Sequence, residues 1–317
     1  MHLVKIKTKI QKFNKILSIE GDKSLSIRWA LIASQSEYKS KSENLLLSED
    51  VINTLKCLKK LGVKIKISKN FCEINGVGLN GFKYKKNLTL NAGNSGTLGR
   101  LIMGLLTHTK LSIKLKGDKS LSKRDFFRII KPLKKFGADF QSNMGKLPII
   151  IKGTNNPNPI VYNETRGSAQ VKSSLMLAAL NTRGETIIKA KKSRNHSELL
   201  FKYLDLPIKV RKIKNYDLIK IKGKKKIPPL NYKIPSDISS CAFFMVLTIL
   251  SKNSKLKIKN VNINPSRVGI LRILNMMGVK IQKINVKEYK GEKIADLIIK
   301  STKTVSYTHL TLPTIFR

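Results

Sequence analysis

The sequence predicts an α+β fold built from a repeated unit, and three observations support this prediction. Apolar helices that open with small polar residues recur along the chain, and short strands of alternating apolar and basic residues lie between them. A third pattern, an apolar helix followed by a glycine and a basic strand, has its glycines at positions 62, 137 and 278. These glycines are 75 and 141 residues apart, and the second spacing is close to twice 70. The chain therefore holds about four units of roughly 70 residues each.

The first predicted helix begins within Gly21-Asp22-Lys23-Ser24 and continues through apolar residues to Ala33. Unpaired N–H groups and the positive end of the helix dipole favour an anion at such a start, and Lys23 and Arg28 add positive charge. Small polar residues also cap ordinary helices. Taken alone, this start fits either an anion site or a simple cap.

The same composition opens four further predicted helices. Their segments are residues 91–107, 167–180, 235–250 and 264–279. Arg100 lies one turn into the first of them, Gln170 and Lys172 lie in the first turn of the next, and Asp237 opens the third. A cap requires neither cations nor long amides, so the five starts together predict anion binding.

Between the helix starts, each repeat closes with an apolar helix, a breaker and a basic strand. The segments with this pattern are 55–65, 130–140, a weaker 199–210, and 270–281. Alternating apolar and basic residues at 111–115 and 255–259 predict half-buried strands. Helices and strands mixed in this way are typical of the α+β class.

The composition indicates a folded protein of the cytoplasm that acts on small molecules. The net charge of +44 comes mostly from lysines spread along the whole chain, without the basic and aromatic clusters of nucleic-acid-binding proteins. We expect no membrane span and no signal peptide, because apolar runs of the required length are absent from the sequence. The three cysteines lack metal-ligand spacing and are expected to be reduced.

Eight segments, in the same chain order, resemble motifs of the enolpyruvyl transferase family, and in particular its EPSP synthase branch. They are residues 21–28, 47–63, 93–100, 117–124, 168–173, 193–198, 235–244 and 264–269. The resemblance extends from about residue 8 to about residue 300. The sequence departs from the family at Ile27, where histidine is usual, and at Asp125, where proline is usual.

The resemblance implies two domains of three βαβαββ-type units each, joined by a double crossover. Residues 1–20 and 234–305 would form an incomplete first domain and residues 21–233 the second, so that about four of the family's six units are present. Residues 306–317 contain no lysine and are expected to be a non-native tail. The family's later motifs lack a counterpart here, which implies that this polypeptide alone is truncated and inactive.

The implied reaction transfers the enolpyruvyl group of phosphoenolpyruvate to the 5-hydroxyl of 3-phosphoshikimate and releases phosphate, a step of the shikimate pathway to chorismate and the aromatic amino acids. The resemblance implies a monomer without metal or other cofactor, and without nucleic-acid or membrane partners. The residues expected to bind 3-phosphoshikimate are Lys23, Ser24, Arg28, Ser168, Ala169, Gln170, Arg194 and Asp237. Those expected to bind phosphoenolpyruvate are Lys23, Gly96, Arg124 and Gln170. Asp237 is the expected proton acceptor, and Lys23 is expected to bridge both substrates.

Two alternatives stay open at this point. One is the sister enzyme that acts on UDP-N-acetylglucosamine, which has Lys-Asn in place of Lys23-Ser24 and carries a reactive loop cysteine. Residues 108–125, where that loop would lie, contain no cysteine. The other alternative is a non-catalytic remnant that only binds its ligands.

Overall fold

The computed structural model describes residues 10–68 and 71–302 of the chain. Its helices are α1 (Lys23–Ala33), α2 (Glu49–Lys60), α3 (Gly96–Leu106), α4 (Lys119–Ser122), α5 (Phe127–Lys134), α6 (Ala169–Leu180), α7 (His196–Tyr203), α8 (Ile238–Leu250) and α9 (Gly269–Met276). Its strands are β1 (Asn14–Leu17), β2 (Lys39–Glu43), β3 (Lys64–Ile67), β4 (Phe71–Asn75), β5 (Leu88–Asn91), β6 (Ile113–Lys116), β7 (Asp139–Ser142), β8 (Ile149–Lys152), β9 (Val161–Glu164), β10 (Glu185–Lys191), β11 (Ile208–Lys212), β12 (Tyr216–Lys222), β13 (Tyr232–Lys233), β14 (Lys255–Asn262), β15 (Gln282–Tyr289) and β16 (Glu292–Lys300).

Contacts between residues divide the chain into two compact units. The small unit comprises Met1–Glu20 and Pro235–Arg317, and the large unit is Gly21–Ile234. Residues 306–317, expected to be a non-native tail, lie outside the described residues. The domain assignment made from the sequence stays a prediction. Within the described ranges, the helices are all too short or too polar to cross a membrane.

In the part of the chain that the structure describes, the strands form four sheets of four strands, and all four sheets have the same topology. Their strand orders are β13-β2-β4-β3, β5-β6-β8-β7, β9-β10-β12-β11 and β1-β14-β16-β15. In each sheet the first two strands are parallel and the others pair antiparallel. Parallel neighbours need a crossover, which α3 supplies between β5 and β6 and α6 supplies between β9 and β10. The structure thus confirms the predicted α+β class and its repeated βαβαββ-type unit.

Helices α1, α3 and α6 occupy equivalent positions in the three repeats of the large unit. Their N-cap residues are Asp22, Ser95 and Ser168, each 73 residues after the one before. Each cap side chain accepts a hydrogen bond from the backbone N–H three residues further on. Almost every residue of these helices is buried, including the charged side chains of Arg28, Arg100 and Lys172. They form the centre of the large unit's core.

The small unit has its own core, in which α8 and α9 contribute apolar residues together with strands β14 and β16. Cys241, Met245 and Ile249 lie on the buried side of α8. On its other side Phe243 is 78% exposed and Leu250 is 71% exposed. A run of exposed apolar residues on one helix is typical of a contact surface, in contrast to the enclosed α1, α3 and α6.

A buried histidine lies just beyond the C-terminal end of α3. The Nε2 atom of His108 lies 2.9 Å from the carbonyl oxygen of Ala178 on α6, and a carbonyl can only accept, so Nε2 carries the proton. Burial lowers the pKa of His108 to about 4, although the hydrogen bond to Ala178 acts in the opposite direction. At neutral pH the imidazole is therefore uncharged and serves as a packed hydrogen-bond donor.

We expect His108 to make the fold sensitive to mild acid. The unfolded chain binds a proton on this side chain near pH 6.5, whereas the folded chain does so only near pH 4. The contribution of neutral His108 to the free energy of unfolding is fully present above pH 6.5. It is lost as the pH drops from 6.5 to 4, and the loss is about 2 kcal/mol at pH 5. Urea unfolding at pH 7 and pH 5 measures this loss. The His108→Gln variant should lack that part of the loss, and an equal loss in both proteins would contradict the prediction.

Candidate active site

The structure places nine of the ten predicted site residues in the large unit. They lie at the starts of α1, α3 and α6 or in the loops that follow α4 and β10. These nine residues are Lys23, Ser24, Arg28, Gly96, Arg124, Ser168, Ala169, Gln170 and Arg194. Asp237 belongs to the small unit and is described there by itself. Which of the ten contact a substrate stays a prediction.

Gly96 opens α3 beside two guanidinium groups. A Cβ atom at this position would lie 2.7 Å from Nη1 of Arg100 and 3.1 Å from Nη1 of Arg124. A larger residue at 96 would therefore displace both arginines from the start of the helix. Glycine at this position lets the two cations and the N–H groups of the first helical turn share one small space.

Arg100 is buried under this helix start, and its environment is strongly positive. Its guanidinium lies 4.9 Å from the ring centre of Phe126, a cation–π distance. Burial, followed by the neighbouring charges of Arg128 and Arg124, lowers the pKa of Arg100 to about 10. We call Arg100, Arg124 and Arg128 the arginine cluster. An anion would relieve the mutual repulsion of these charges, so the cluster favours a negatively charged ligand.

Gln170 links α6 to this cluster through both ends of its amide. Its Oε1 atom accepts a hydrogen bond from Nη1 of Arg100 at 3.0 Å, and its Nε2 donates to Oγ1 of Thr97 at 3.2 Å. The starts of α3 and α6 are therefore joined by side chains. Ser168 caps α6, and its backbone N–H donates to the Glu164 carboxylate at 3.0 Å. Ala169 is the first residue of the same helix.

A second cluster lies where α1 meets α6 and α7. Arg28 on α1 is only 4% exposed. Its Nε donates to Oγ of Ser197 at 2.9 Å and its Nη2 donates to Oγ of Ser173 at 3.1 Å. Its Nη1 donates to the carbonyl oxygen of Ser24 at 3.1 Å. These three bonds fix the plane of the guanidinium. Since Ser173 lies one turn after Gln170 on α6, this helix connects both clusters.

Lys23 and Arg194 are the more exposed cations of the site. The Nζ atom of Lys23 forms an ion pair with Oδ2 of Asp50 at 2.9 Å, and half of the lysine side chain is exposed. A pair this exposed contributes little stability, so Lys23 can turn to a ligand at small cost. Arg194 is exposed in the loop between β10 and α7. Arg124 is also exposed, and its Nη2 donates to Oδ1 of Asn94 at 3.1 Å.

In the small unit, Asp237 is the N-cap of α8 and is 8% exposed. Its Oδ1 atom accepts hydrogen bonds from the N–H of Ser239 at 2.8 Å and from Nη2 of Arg267 at 3.1 Å. Arg267 also donates to Oγ of Ser239 at 2.8 Å. The carboxylate is thus held in one orientation at a helix start, as a positioned proton acceptor requires.

The structure adds four residues to these clusters that the sequence motifs do not single out as site residues. They are Asp50, Ser173, Ser197 and Arg267. Each lies inside one of the eight recognised motifs or next to one of their basic residues, so motif membership was the available signal. For Lys172 the sequence suggests a role that the structure does not support. Its position in the first turn of α6 places it among the residues expected near an anion. The structure instead buries its side chain completely in an ion pair with Glu198.

All three cysteines lie in the described part of the chain, and each is buried. Burial raises the pKa of Cys57 to about 11 and the pKa values of Cys72 and Cys241 to about 12, so none of these thiols is a ready nucleophile. Between residues 10 and 68 and between 71 and 302, histidines, cysteines and carboxylates do not gather in groups of three or more that could hold a metal ion.

Comparisons with known proteins agree on one family. A family model described as EPSP synthase (3-phosphoshikimate 1-carboxyvinyltransferase) matches residues 7–315. The 3-phosphoshikimate 1-carboxyvinyltransferase of Petrotoga mobilis is 41% identical over 300 residues, which cover 93% of this chain and 68% of that protein. The one of Ruthia magnifica is 43% identical over 287 residues, covering 90% of this chain and 65% of that protein.

The fold comparison leads to the same family. A solved structure of EPSP synthase from Acinetobacter baumannii matches with a TM-score of 0.84 at 35% identity, covering 92% of this chain and 65% of that one. This chain therefore spans about two thirds of the length of the relatives it matches. Matches of this extent in sequence and structure show that the chain belongs to the EPSP synthase family.

Proposed function

We propose that the protein transfers the enolpyruvyl group of phosphoenolpyruvate to the 5-hydroxyl of 3-phosphoshikimate and releases phosphate. The observation that carries this proposal is the arginine cluster around Gly96, at the joined starts of α3 and α6. Phosphoenolpyruvate is small and carries several negative charges, which suits a narrow site with guanidinium groups and helix N–H groups. Gly96, Arg124 and Gln170 are its proposed ligands, together with Lys23.

We assign the second substrate, 3-phosphoshikimate, to the neighbouring cations and helix starts of the predicted site. 3-Phosphoshikimate carries a phosphate and a carboxylate, and its proposed ligands are Lys23, Ser24, Arg28, Ser168, the backbone of Ala169, Gln170, Arg194 and Asp237. Arg28 and Gln170 are both held by hydrogen bonds within the large unit. Side chains that are ordered before binding lose little entropy when the ligand arrives, which favours affinity.

The proposed chemistry is addition followed by elimination. The 5-hydroxyl oxygen bonds to C2 of phosphoenolpyruvate while its proton passes to the carboxylate of Asp237, and the electron pair of the C2=C3 double bond takes a proton from water, so that C3 becomes a methyl group. The resulting tetrahedral ketal then loses a proton from that methyl group and expels phosphate, which restores the double bond. Asp237 is held for this task by Arg267 and Ser239. Cations near the ketal stabilise its charge.

A monomeric state and a cytoplasmic location belong to the same proposal. The rival substrate UDP-N-acetylglucosamine is disfavoured. The sister enzyme that acts on it carries a reactive loop cysteine, whereas the three cysteines of this chain are buried.

Titration calorimetry with 3-phosphoshikimate and with UDP-N-acetylglucosamine tests the substrate assignment. We expect binding of 3-phosphoshikimate alone, and tighter binding of the nucleotide sugar would contradict the proposal. Enolpyruvyl transfer itself is measured as phosphate release from phosphoenolpyruvate that requires 3-phosphoshikimate. A form with the full length of its relatives that binds 3-phosphoshikimate but releases no phosphate would support the purely binding alternative.

Replacing individual cations should separate the two substrates. We expect Lys23→Ala to weaken binding of both substrates, because Lys23 is the proposed bridge. Arg124→Ala should weaken phosphoenolpyruvate alone, by about 10- to 100-fold, the usual value of a hydrogen bond to a charged group. Calorimetry with each substrate measures the effects, and Lys226→Ala, on an exposed lysine paired with Glu37, controls for the loss of one charge. Equal weakening of 3-phosphoshikimate by Lys23→Ala and Arg124→Ala would refute the division.

A further inference from the structure

Arg28 is held by two hydroxyl groups that also contact each other. Its Nε and Nη2 donate to Ser197 and Ser173, and the Ser197 hydroxyl donates to Oγ of Ser173 at 2.7 Å. The two serines come from different helices, α7 and α6, and Arg28 comes from α1. Orientation of this guanidinium therefore depends on the correct placement of three helices.

Next to each serine in the sequence lies one member of a buried ion pair. Nζ of Lys172 lies 2.5 Å from Oε1 of Glu198, and the two side chains are 0% and 4% exposed. Lys172 precedes Ser173 on α6, and Glu198 follows Ser197 on α7. The pair therefore ties α6 to α7 at the level of the two hydroxyls.

A buried ion pair is a poor source of net stability, because removing both charges from water costs about as much as their attraction returns. It is, however, demanding in geometry, since any displacement leaves a buried charge without its partner. Such a pair fits a role in positioning better than a role in stabilisation.

We propose that Lys172 and Glu198 are positioning residues, which hold Ser173 and Ser197 so that these hydroxyls orient Arg28 for the binding of an anionic substrate. We call Ser173, Ser197, Lys172 and Glu198 the Arg28 clamp. The proposal rests on the proposed function in one respect, namely that Arg28 binds 3-phosphoshikimate. With the clamp in place, the ordering of the long arginine side chain is completed during folding. Without it, each binding event must order that side chain, and affinity falls.

The position of Arg28 can be tested without any ligand. An Nε–H group that donates to a buried hydroxyl exchanges slowly with water, so ¹⁵N NMR should show a protected Nε–H assigned to Arg28. We expect Ser173→Ala/Ser197→Ala to abolish this protection and Ser197→Thr, which keeps a hydroxyl, to retain it. Ser34→Ala removes another buried hydroxyl of the α1 region, one that donates to Leu31, and serves as the matched control.

Calorimetry with 3-phosphoshikimate on the same variants provides the functional measurement. We expect the Kd to rise about tenfold or more in Ser173→Ala/Ser197→Ala, and to stay near the original value in Ser197→Thr and Ser34→Ala. The variant Lys172→Met/Glu198→Leu removes both charges while keeping volume, so it should fold, lose the Nε–H protection and bind as weakly as the serine variant.

Retained protection and unchanged Kd in the serine variant would overturn the clamp. Retained protection and affinity in Lys172→Met/Glu198→Leu would overturn the role of the ion pair. Failure of the unchanged protein to bind 3-phosphoshikimate would refute the proposed function instead, and the NMR measurement would still decide whether the clamp orients Arg28.

Discussion

In a form of the enzyme that has the full length of its relatives, Asp237→Asn is expected to lower turnover by about 10²- to 10⁴-fold, the usual contribution of a positioned general base. The amide of asparagine cannot accept the hydroxyl proton. Asparagine caps helices as well as aspartate does, so α8 should keep its start, where Oδ1 of Asp237 accepts from Ser239. Affinity for 3-phosphoshikimate should therefore stay within about tenfold of the original.

Phosphate release at saturating concentrations of both substrates measures this effect, and calorimetry measures binding. Asp205→Asn is a suitable control, because Asp205 is an exposed carboxylate that also loses an ion pair, here with Lys225, when it is replaced. Full activity in the control and a large loss in Asp237→Asn would separate the chemistry from a general change in charge. Turnover of Asp237→Asn within threefold of the original would show that another group accepts the proton.

The repeated architecture could be predicted because its signals are local. The N-caps Asp22, Ser95 and Ser168 each accept a hydrogen bond from the N–H group three residues further on. A short segment of sequence is therefore enough to predict each cap. The same holds for the glycines that follow α2 and α5. Gly62 and Gly137 have φ values of +90° and +99°, in the left-handed region that favours glycine.

The third repeat was harder to recognise for a physical reason. Asp205 stands where the other repeats have glycine, and it adopts a φ of +48°. Aspartate tolerates this conformation better than most residues, so the turn is conserved in geometry while its sequence signal is lost. A pattern that searches for glycine therefore finds only part of the repeat.

The internal contacts of the site could not be predicted, because they join residues that are far apart in the chain. Arg28 lies 145 residues before Ser173 and 169 before Ser197, and no local pattern relates them. The role of Lys172 could not be predicted for the same reason, because its partner lies in another helix. Its place in a polar helix start suggests a ligand-facing cation, and only the packing of α7 against α6 reveals that Glu198 neutralises it.

The second large effect is expected in the stability of the fold. Lys172→Met alone should lower the free energy of unfolding by about 3–5 kcal/mol, because it leaves the carboxylate of Glu198 buried without its partner. Lys172→Met/Glu198→Leu should recover most of this loss, since both charges are then absent and the volumes are similar. Urea denaturation of the three proteins measures these differences.

Lys220→Met is the matched control, because Lys220 forms an ion pair with Glu185 at 3.4 Å in a half-exposed position. Its effect should stay within about 1 kcal/mol. A loss in Lys172→Met no larger than in this control would show that the buried pair imposes no constraint. If stability returns in the double variant while the protected Nε–H of Arg28 does not, then packing and positioning are separate properties of the same four side chains. In that case the function of the ion pair is to orient Arg28, because an apolar pair at the same positions gives the fold equal stability.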